Sequence, residues 1–217
     1  MGQKINPVGF RVGITKPWSS RWFADKKSYG DLVLEDYKIR KFLEIKLEAA
    51  GLRSVDIERS VNEINVIVKV SKPGVVIGRG GAGVENVEHE LKKLTKSKIR
   101  LTAEEVKIPE TDAKLVADYI SRQLKRRLPY KKVVNSAINS AMDRGAKGIK
   151  VRTSGRLNGA LIARSDQLKR GSVPTQTLRA DIDYAQVDCH TPYGAIGIKV
   201  WIHKGEIESG KQKYVNA

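Results

Sequence analysis

The stretch Gly74–Val87, read GVVIGRGGAGVENV, constrains the fold more than any other part of the chain. Four glycines, Gly78, Gly80, Gly81 and Gly83, stand between two hydrophobic half-turns with Arg79 among them. An alternating, strand-like run precedes them and a helix-like run follows. Glycine carries no Cβ, so the backbone there can approach a partner closely. In a chain of formal charge +17, the partner to expect is a phosphate backbone.

That charge is spread over the whole chain. Residues 1–108 hold 21 basic and 14 acidic side chains, and residues 109–217 hold 20 and 10. A basic body of this kind is the electrostatic footprint of a nucleic-acid partner. A solitary enzyme would have to bear the self-repulsion without a polyanion. The 217 residues suit one large domain or two small ones. Cys189 is the only cysteine, which excludes an internal disulfide and fits a reduced, intracellular compartment. Its neighbour His190 does not complete a metal site with it, and His89 and His203 show no ligand spacing. No metal or cofactor is therefore expected. No run approaches the roughly 18 apolar residues of a membrane span, so no membrane partner is expected. The start MGQKINPVGF lacks a signal-peptide core and reads as a mature cytoplasmic N-terminus.

Taken in order, residues 1–27 read as a basic N-terminal arm. Pro7, Gly9, Gly13 and Pro17 interrupt regular structure, and Lys4, Arg11, Lys16, Arg21, Lys26 and Lys27 stand against one acid, Asp25. Its cations are expected on RNA phosphates, and Trp18, Trp22 and Phe23 are expected to dock on the protein. Leu32, Leu34, Ile39, Phe42, Leu43, Leu47 and Ala50 predict a helix over residues 31–50, ended by Gly51. Val55–Ser60 and Glu63–Ser71 predict a strand pair joined by a tight turn near Asn62. A short helix, the glycine loop, a helix over residues 84–95 and a strand over residues 99–108 follow. These elements form a first domain, residues 28–108.

Pro109 opens a second domain, residues 109–208, followed by a polar tail, residues 209–217. Thr111 is the expected N-cap of a helix reaching Leu128, and a second helix runs from Pro129 to Arg144 and stops at Gly145. No acid intervenes between Asp118 and Asp143, while Arg122, Lys125, Arg126, Arg127, Lys131 and Lys132 crowd the junction. Four alternating segments then predict an antiparallel sheet covered on one face. The fold class is α+β, with two helices and four strands in this second domain.

The glycine run fits two templates. Gly78, Gly80 and Gly83 satisfy the dinucleotide pattern GxGxxG, which needs a core strand directly before it and a parallel βαβ unit around it. Pro73 and Gly74 interrupt that strand, and no further βα repeats follow. The second template, Ile77-Gly78-Arg79-Gly80-Gly81 between two helices, resembles the loop of KH domains, which clamps about four nucleotides of single-stranded backbone. The order of elements around it looks like the type II KH form. Here Gly78 and Gly81 admit phosphates, the next helix offers free N–H groups, and Arg79 adds charge. A plain interhelical turn would explain a tight connection without needing four glycines.

Further segments carry a broader resemblance. MGQKINPVGFRVGI, KPW, RWFA, SGRLNGALIAR, TLRADIDYA and YGAIGIKVWIHKGE are together similar to the bacterial-type ribosomal protein S three family, from the first residue to about Glu208. The resemblance implies a type II KH domain and a C-terminal α+β domain packed on small-subunit rRNA. Neighbouring ribosomal proteins of the small-subunit head would lie beside it. It implies contact with mRNA where the message enters the subunit, through the positions of Lys131, Lys132 and Asn135. Two positions depart from the family pattern. Asn135 replaces a basic residue common there, and Gly80 stands where many relatives carry a second loop cation. Weaker phosphate attraction at the loop follows from the second departure.

Catalysis finds no support. Ser154 and Ser172 lack a His–Asp partner set, and the P-loop pattern is absent. Asp181 and Asp183 lie on one face of a strand and are expected to pair with Arg179, Arg164 or Lys150. The reading is a non-catalytic, rRNA-binding protein of the ribosome that assists passive unwinding of mRNA. A free-standing KH regulator of mRNAs and a dinucleotide-dependent enzyme are the alternatives.

Overall fold

The computed structural model describes residues 3–60, 63–95 and 97–207, with Arg79 described through its backbone only. Asn62, Lys96 and the polar tail 209–217 lie outside the described residues. The chain forms two compact units. One is Trp18–Lys107, and the other joins the residues up to Pro17 to those from Ile108 onward. The N-terminal arm is thus divided between them at Pro17.

In the first unit, β1 (Ser20–Arg21) is a two-residue strand, followed by α1 (Tyr29–Lys46), β2 (Leu52–Arg59) and β3 (Glu63–Val70). Then come α2 (Pro73–Ile77), a 3-10 turn at Arg79–Gly81, α3 (Ala82–Lys92) and β4 (Lys98–Glu105). The sheet order is β1-β2-β3-β4. The β2–β3 pair is antiparallel, whereas β1–β2 and β3–β4 are parallel. Strict alternation in β3 sends Ile64, Val66, Val68 and Val70 into the core, where Ile39 and Leu43 of α1 and Leu91 of α3 meet them. Each such fully buried side chain contributes roughly 1.5–3 kcal/mol relative to exposure. This is the helix–strand–strand–helix–helix–strand order expected of the KH domain.

A polar knot ties the start of this unit to α1. Asp36 is buried and accepts from Arg59 Nε at 2.9 Å, Trp22 Nε1 at 2.9 Å and Ser20 Oγ at 3.1 Å. Trp22 therefore docks as expected, and its ring lies 5.4 Å from that of Tyr29. Trp18 and Phe23 do not dock, being 68% and 94% exposed.

In the second unit, α4 (Ala113–Lys125) and α5 (Tyr130–Asp143) precede β5 (Gly148–Gly155), β6 (Arg164–Gly171), β7 (Ala180–Thr191) and β8 (Gly194–Glu206). The sheet order is β6-β5-β8-β7, all antiparallel. Helix α4 lies over β7 and β8, and α5 over β5 and β6, on the same face. Val116, Ile120, Val134, Ile138, Ile149, Val151, Ile198 and Val200 fill the layer between.

Two local expectations are corrected. Asp112 is the N-cap of α4, its Oδ1 accepting from Lys114 N at 3.2 Å. The 3-10 turn Pro109–Thr111 uses Thr111 instead, whose Oγ1 donates to Ile108 O at 3.1 Å. Asp181 and Asp183 pair with Lys16 Nζ, each at 3.7 Å, and Asp183 also with Lys204 at 3.2 Å. Arg179 goes to Glu206.

The N-terminal segment is held to this unit by Arg11, which is fully buried in the protein and so is not on RNA, against the expectation for the arm's cations. Its guanidinium donates to Ala180 O at 2.8 Å, Pro7 O at 2.9 Å, Thr177 O at 2.7 Å and Thr175 O at 3.1 Å. A cation buried without a carboxylate within bonding distance needs such acceptors to offset its desolvation.

Candidate nucleic-acid interface

In the glycine loop the four glycines have separate duties. Gly78 adopts φ 68°, ψ −174°, a region open essentially to glycine alone. Gly80 and Gly81 have φ 62° and 88° and face open space, so a Cβ there would meet nothing within 4 Å. Gly83 is different, because a Cβ on it would lie 2.3 Å from Val76 O and 2.9 Å from Ile77 O. It lets α3 cross close to α2, which is an internal approach and not one to a ligand.

The loop ends at the start of α3, where Gly81 is the N-cap and no side chain bonds the first N–H groups. Such an N-terminus carries free donors and a partial positive charge, the combination that receives a phosphate. The loop follows helix α2, so the strand that a dinucleotide site requires before its glycines is not there.

The second candidate is the α4–α5 junction. Arg122, Lys125, Arg126 and Arg127 are exposed at the end of α4, and Lys131, Lys132 and Asn135 are exposed on the outer face of α5. Lys131 and Asn135 are one helical turn apart, with Lys132 beside them, while Val133, Val134, Ala137 and Ile138 face inward. The cations flank a short connector that is firmly built. Leu128 N donates to Gln123 O at 3.3 Å and Arg127 N to Leu124 O at 2.9 Å. This is a Schellman ending with Arg127 at the left-handed position, φ 61°. Helix α5 ends in the same way with Gly145 there, Ala146 N donating to Ala141 O at 3.1 Å and Gly145 N to Met142 O at 3.0 Å.

The start of α5 is capped from outside. Pro129 has no capping side chain, and Asn158 Oδ1 accepts from Tyr130 N at 3.3 Å instead. Tyr130 OH donates to Asp166 Oδ2 at 3.0 Å, fixing the first turn to β6.

Local patterning showed both groups of candidate residues. It did not show Arg127 as a strained cation, nor Asn158 as a remote cap. The one signal for Arg127 was Pro129, which keeps Leu128 out of helical geometry and forces the helix to end just before it.

Asp181 and Asp183 are occupied by lysines. Burial pulls the Asp183 pKa up, but Lys204, Lys16 and the Ala113 N–H outweigh it and hold the carboxyl below its usual value. Among the described residues, no group of three or more His, Cys, Asp or Glu side chains converges as a metal site would. Nor is any described helix long and apolar enough to cross a membrane. Cys189 is buried, with Sγ 3.4 Å from Ser121 O.

Comparison with known proteins matches residues 38–111 to the KH domain family model and residues 120–202 to that of the ribosomal protein S3 C-terminal domain. The small ribosomal subunit protein uS3 of Caldicellulosiruptor bescii is 52% identical over 208 residues, covering 95% of this chain and 94% of the relative. The protein of that name from Clostridioides difficile is 53% identical over 208 residues, covering 95% and 77%. That from Enterococcus faecalis is 49% identical over 207 residues, covering 95% and 94%. With both unit folds matched and half of all positions identical along nearly the whole length, the chain belongs to the uS3 family of small ribosomal subunit proteins.

Proposed function

We propose that the chain is a non-catalytic constituent of the small ribosomal subunit head, bound to rRNA beside other head proteins, and that its α4–α5 junction holds mRNA as the message enters. The carrying observation is the acid-free junction, where six exposed cations flank a connector locked by the Schellman bonds and the Asn158 cap. Fixed cations of this kind hold phosphates without reading sequence. Unwinding would then be passive. Lys131 and Lys132 retain single strands as translocation exposes them, and Asn135 adds a neutral hydrogen-bonding group on the same face. The glycine loop serves as a second backbone contact, with Gly78, Gly80 and Gly81 leaving the α3 N–H groups open and Arg79 supplying charge. Its place of work is the ribosome, in the cytoplasm.

Two experiments test this. The protein should co-sediment with small subunits at moderate salt, and failure to do so would point to a free-standing KH regulator. Lys131→Ala with Lys132→Ala should slow translation through stable mRNA hairpins more than through unstructured messages. Equal slowing on both would remove the mRNA role and leave an assembly role.

A further inference from the structure

We infer that the open part of the helix-free face of the C-terminal sheet is a third RNA site, one that seats a single-stranded segment by stacking a base on aromatic side chains inside a ring of cations. Register aligns this face in rows across the four strands. One row runs Lys169, Lys150, Trp201, Tyr184, and the next runs Gln167, Arg152, Lys199, Gln186. Helices α4 and α5 cover the opposite face. At the end of the sheet where Arg11 meets Ala180, Ile182 and His203 are buried on this face, and the two rows lie beyond them. Arg152, Lys169 and Gln186 are exposed, while Lys150, Tyr184, Lys199 and Trp201 are half-buried.

Three observations carry the inference. The Tyr184 and Trp201 rings lie together, centroids 5.2 Å apart, on the solvent side of a sheet. An aromatic pair that does not belong to the core offers a π-face of the kind single-stranded RNA uses. Lys150 Nζ sits over the Trp201 ring, 4.8 Å from its centre, so a cation is already held on one face of that ring. The cations also lack counter-ions. Among the described residues none of Lys150, Arg152, Lys169 and Lys199 makes an ion pair within 4.0 Å, and an acid, Asp188, follows in the third row beside Gly197. Burial lowers the Lys150 pKa, and Lys4, Arg152 and Lys169 push it the same way. Like charges gathered around an aromatic pair suit a polyanion that also has rings. An acidic peptide would meet the charge and leave the rings unused. A duplex keeps its bases stacked inside and cannot reach them.

The inference rests on the RNA-binding reading, and the test separates the two. The full chain is titrated by fluorescence anisotropy with a labelled 12-nucleotide single-stranded RNA of mixed sequence, a duplex of the same length and polyglutamate. Three double variants are compared with the unaltered chain: Arg152→Ala/Lys199→Ala, Tyr184→Leu/Trp201→Leu and Lys131→Ala/Lys132→Ala. The arginine–lysine pair should reduce the slope of log affinity against log salt by about 0.7 for each phosphate that the variant no longer neutralises. The aromatic pair should weaken single-strand binding about tenfold. Ultraviolet crosslinking followed by mass spectrometry should place nucleotides on peptides bearing Tyr184 or Trp201. Because Arg152 is exposed, its variant tests the site even if the aromatic variant fails to fold. Loss of binding in Lys131→Ala/Lys132→Ala alone, with crosslinks confined to the junction and the glycine loop, overturns the sheet site and spares the general reading. Preference for polyglutamate or duplex also overturns it. No binding of any RNA by the unaltered chain overturns both.

Discussion

Arg127 occupies a backbone geometry that Gly145 fills at the matching point of the next helix. A left-handed conformation costs a residue with a Cβ about 1–2 kcal/mol. Arg127→Gly should therefore raise the stability of the C-terminal unit by about 0.5–1 kcal/mol, after allowing for the freer unfolded chain. Denaturant titration measures this. The same variant should lower the salt slope of RNA binding, because the exposed guanidinium is one of the junction cations. A more stable protein with unchanged RNA binding would mean that Arg127 is kept for another reason. Asp183 gives a pH signature of known sign. Its folded pKa is depressed, so its stabilising contribution is full above the unfolded value of about 3.9 and is lost as pH falls below it. Asp183→Asn should flatten that acid limb of the stability curve. A limb unchanged in the variant would assign it to other carboxylates.

At the scale of elements, the glycine loop divides into residues that shape backbone and one that permits packing. Gly83→Ala must push α3 off α2, because its Cβ would meet Val76 O at 2.3 Å, at an expected cost of about 1–3 kcal/mol. Gly80→Ala meets nothing and should cost about 1 kcal/mol from its left-handed φ alone. Thermal melts of the two variants check the ranking, and a reversal would return Gly83 to a ligand-facing role. These elements were legible in the sequence because their signals are local. Alternation marks β3, helical spacing marks α4 and α5, and glycines mark the loop. Their ends were less legible, since Thr111 and Asp112 are both capping residue types in adjacent positions and the 3-10 turn at Pro109–Thr111 puts the cap on Asp112. What the sequence hid was contact across distance. Lys16 meets Asp181 and Asp183 from the far end of the chain, and Asn158 caps a helix that starts 28 residues earlier. No local pattern encodes such pairs. The cations of the junction were visible as a run, whereas the rows of the open sheet required the register of four strands.

At the scale of the whole chain, the C-terminal unit is discontinuous, built from residues that precede and residues that follow the KH unit in sequence. Removing residues 1–17 should lower hydrogen-exchange protection in residues 108–207 and leave the KH unit unchanged. Equal loss in both units would deny that they are separate. Arg11→Met should reproduce part of the effect, about 2–4 kcal/mol, because buried carbonyls are left without a donor. The buried Arg11 also imposes a clock on biosynthesis. Its acceptors at Thr175, Thr177 and Ala180 are made 164 to 169 residues after it, a delay of roughly 10–30 s at ordinary elongation rates. The KH unit can close during that wait, while Arg11 still lacks its distant acceptors. Only a nascent chain extended past Ala180 can supply all of these acceptors, so burial of Arg11 separates copies truncated before Ala180 from longer ones.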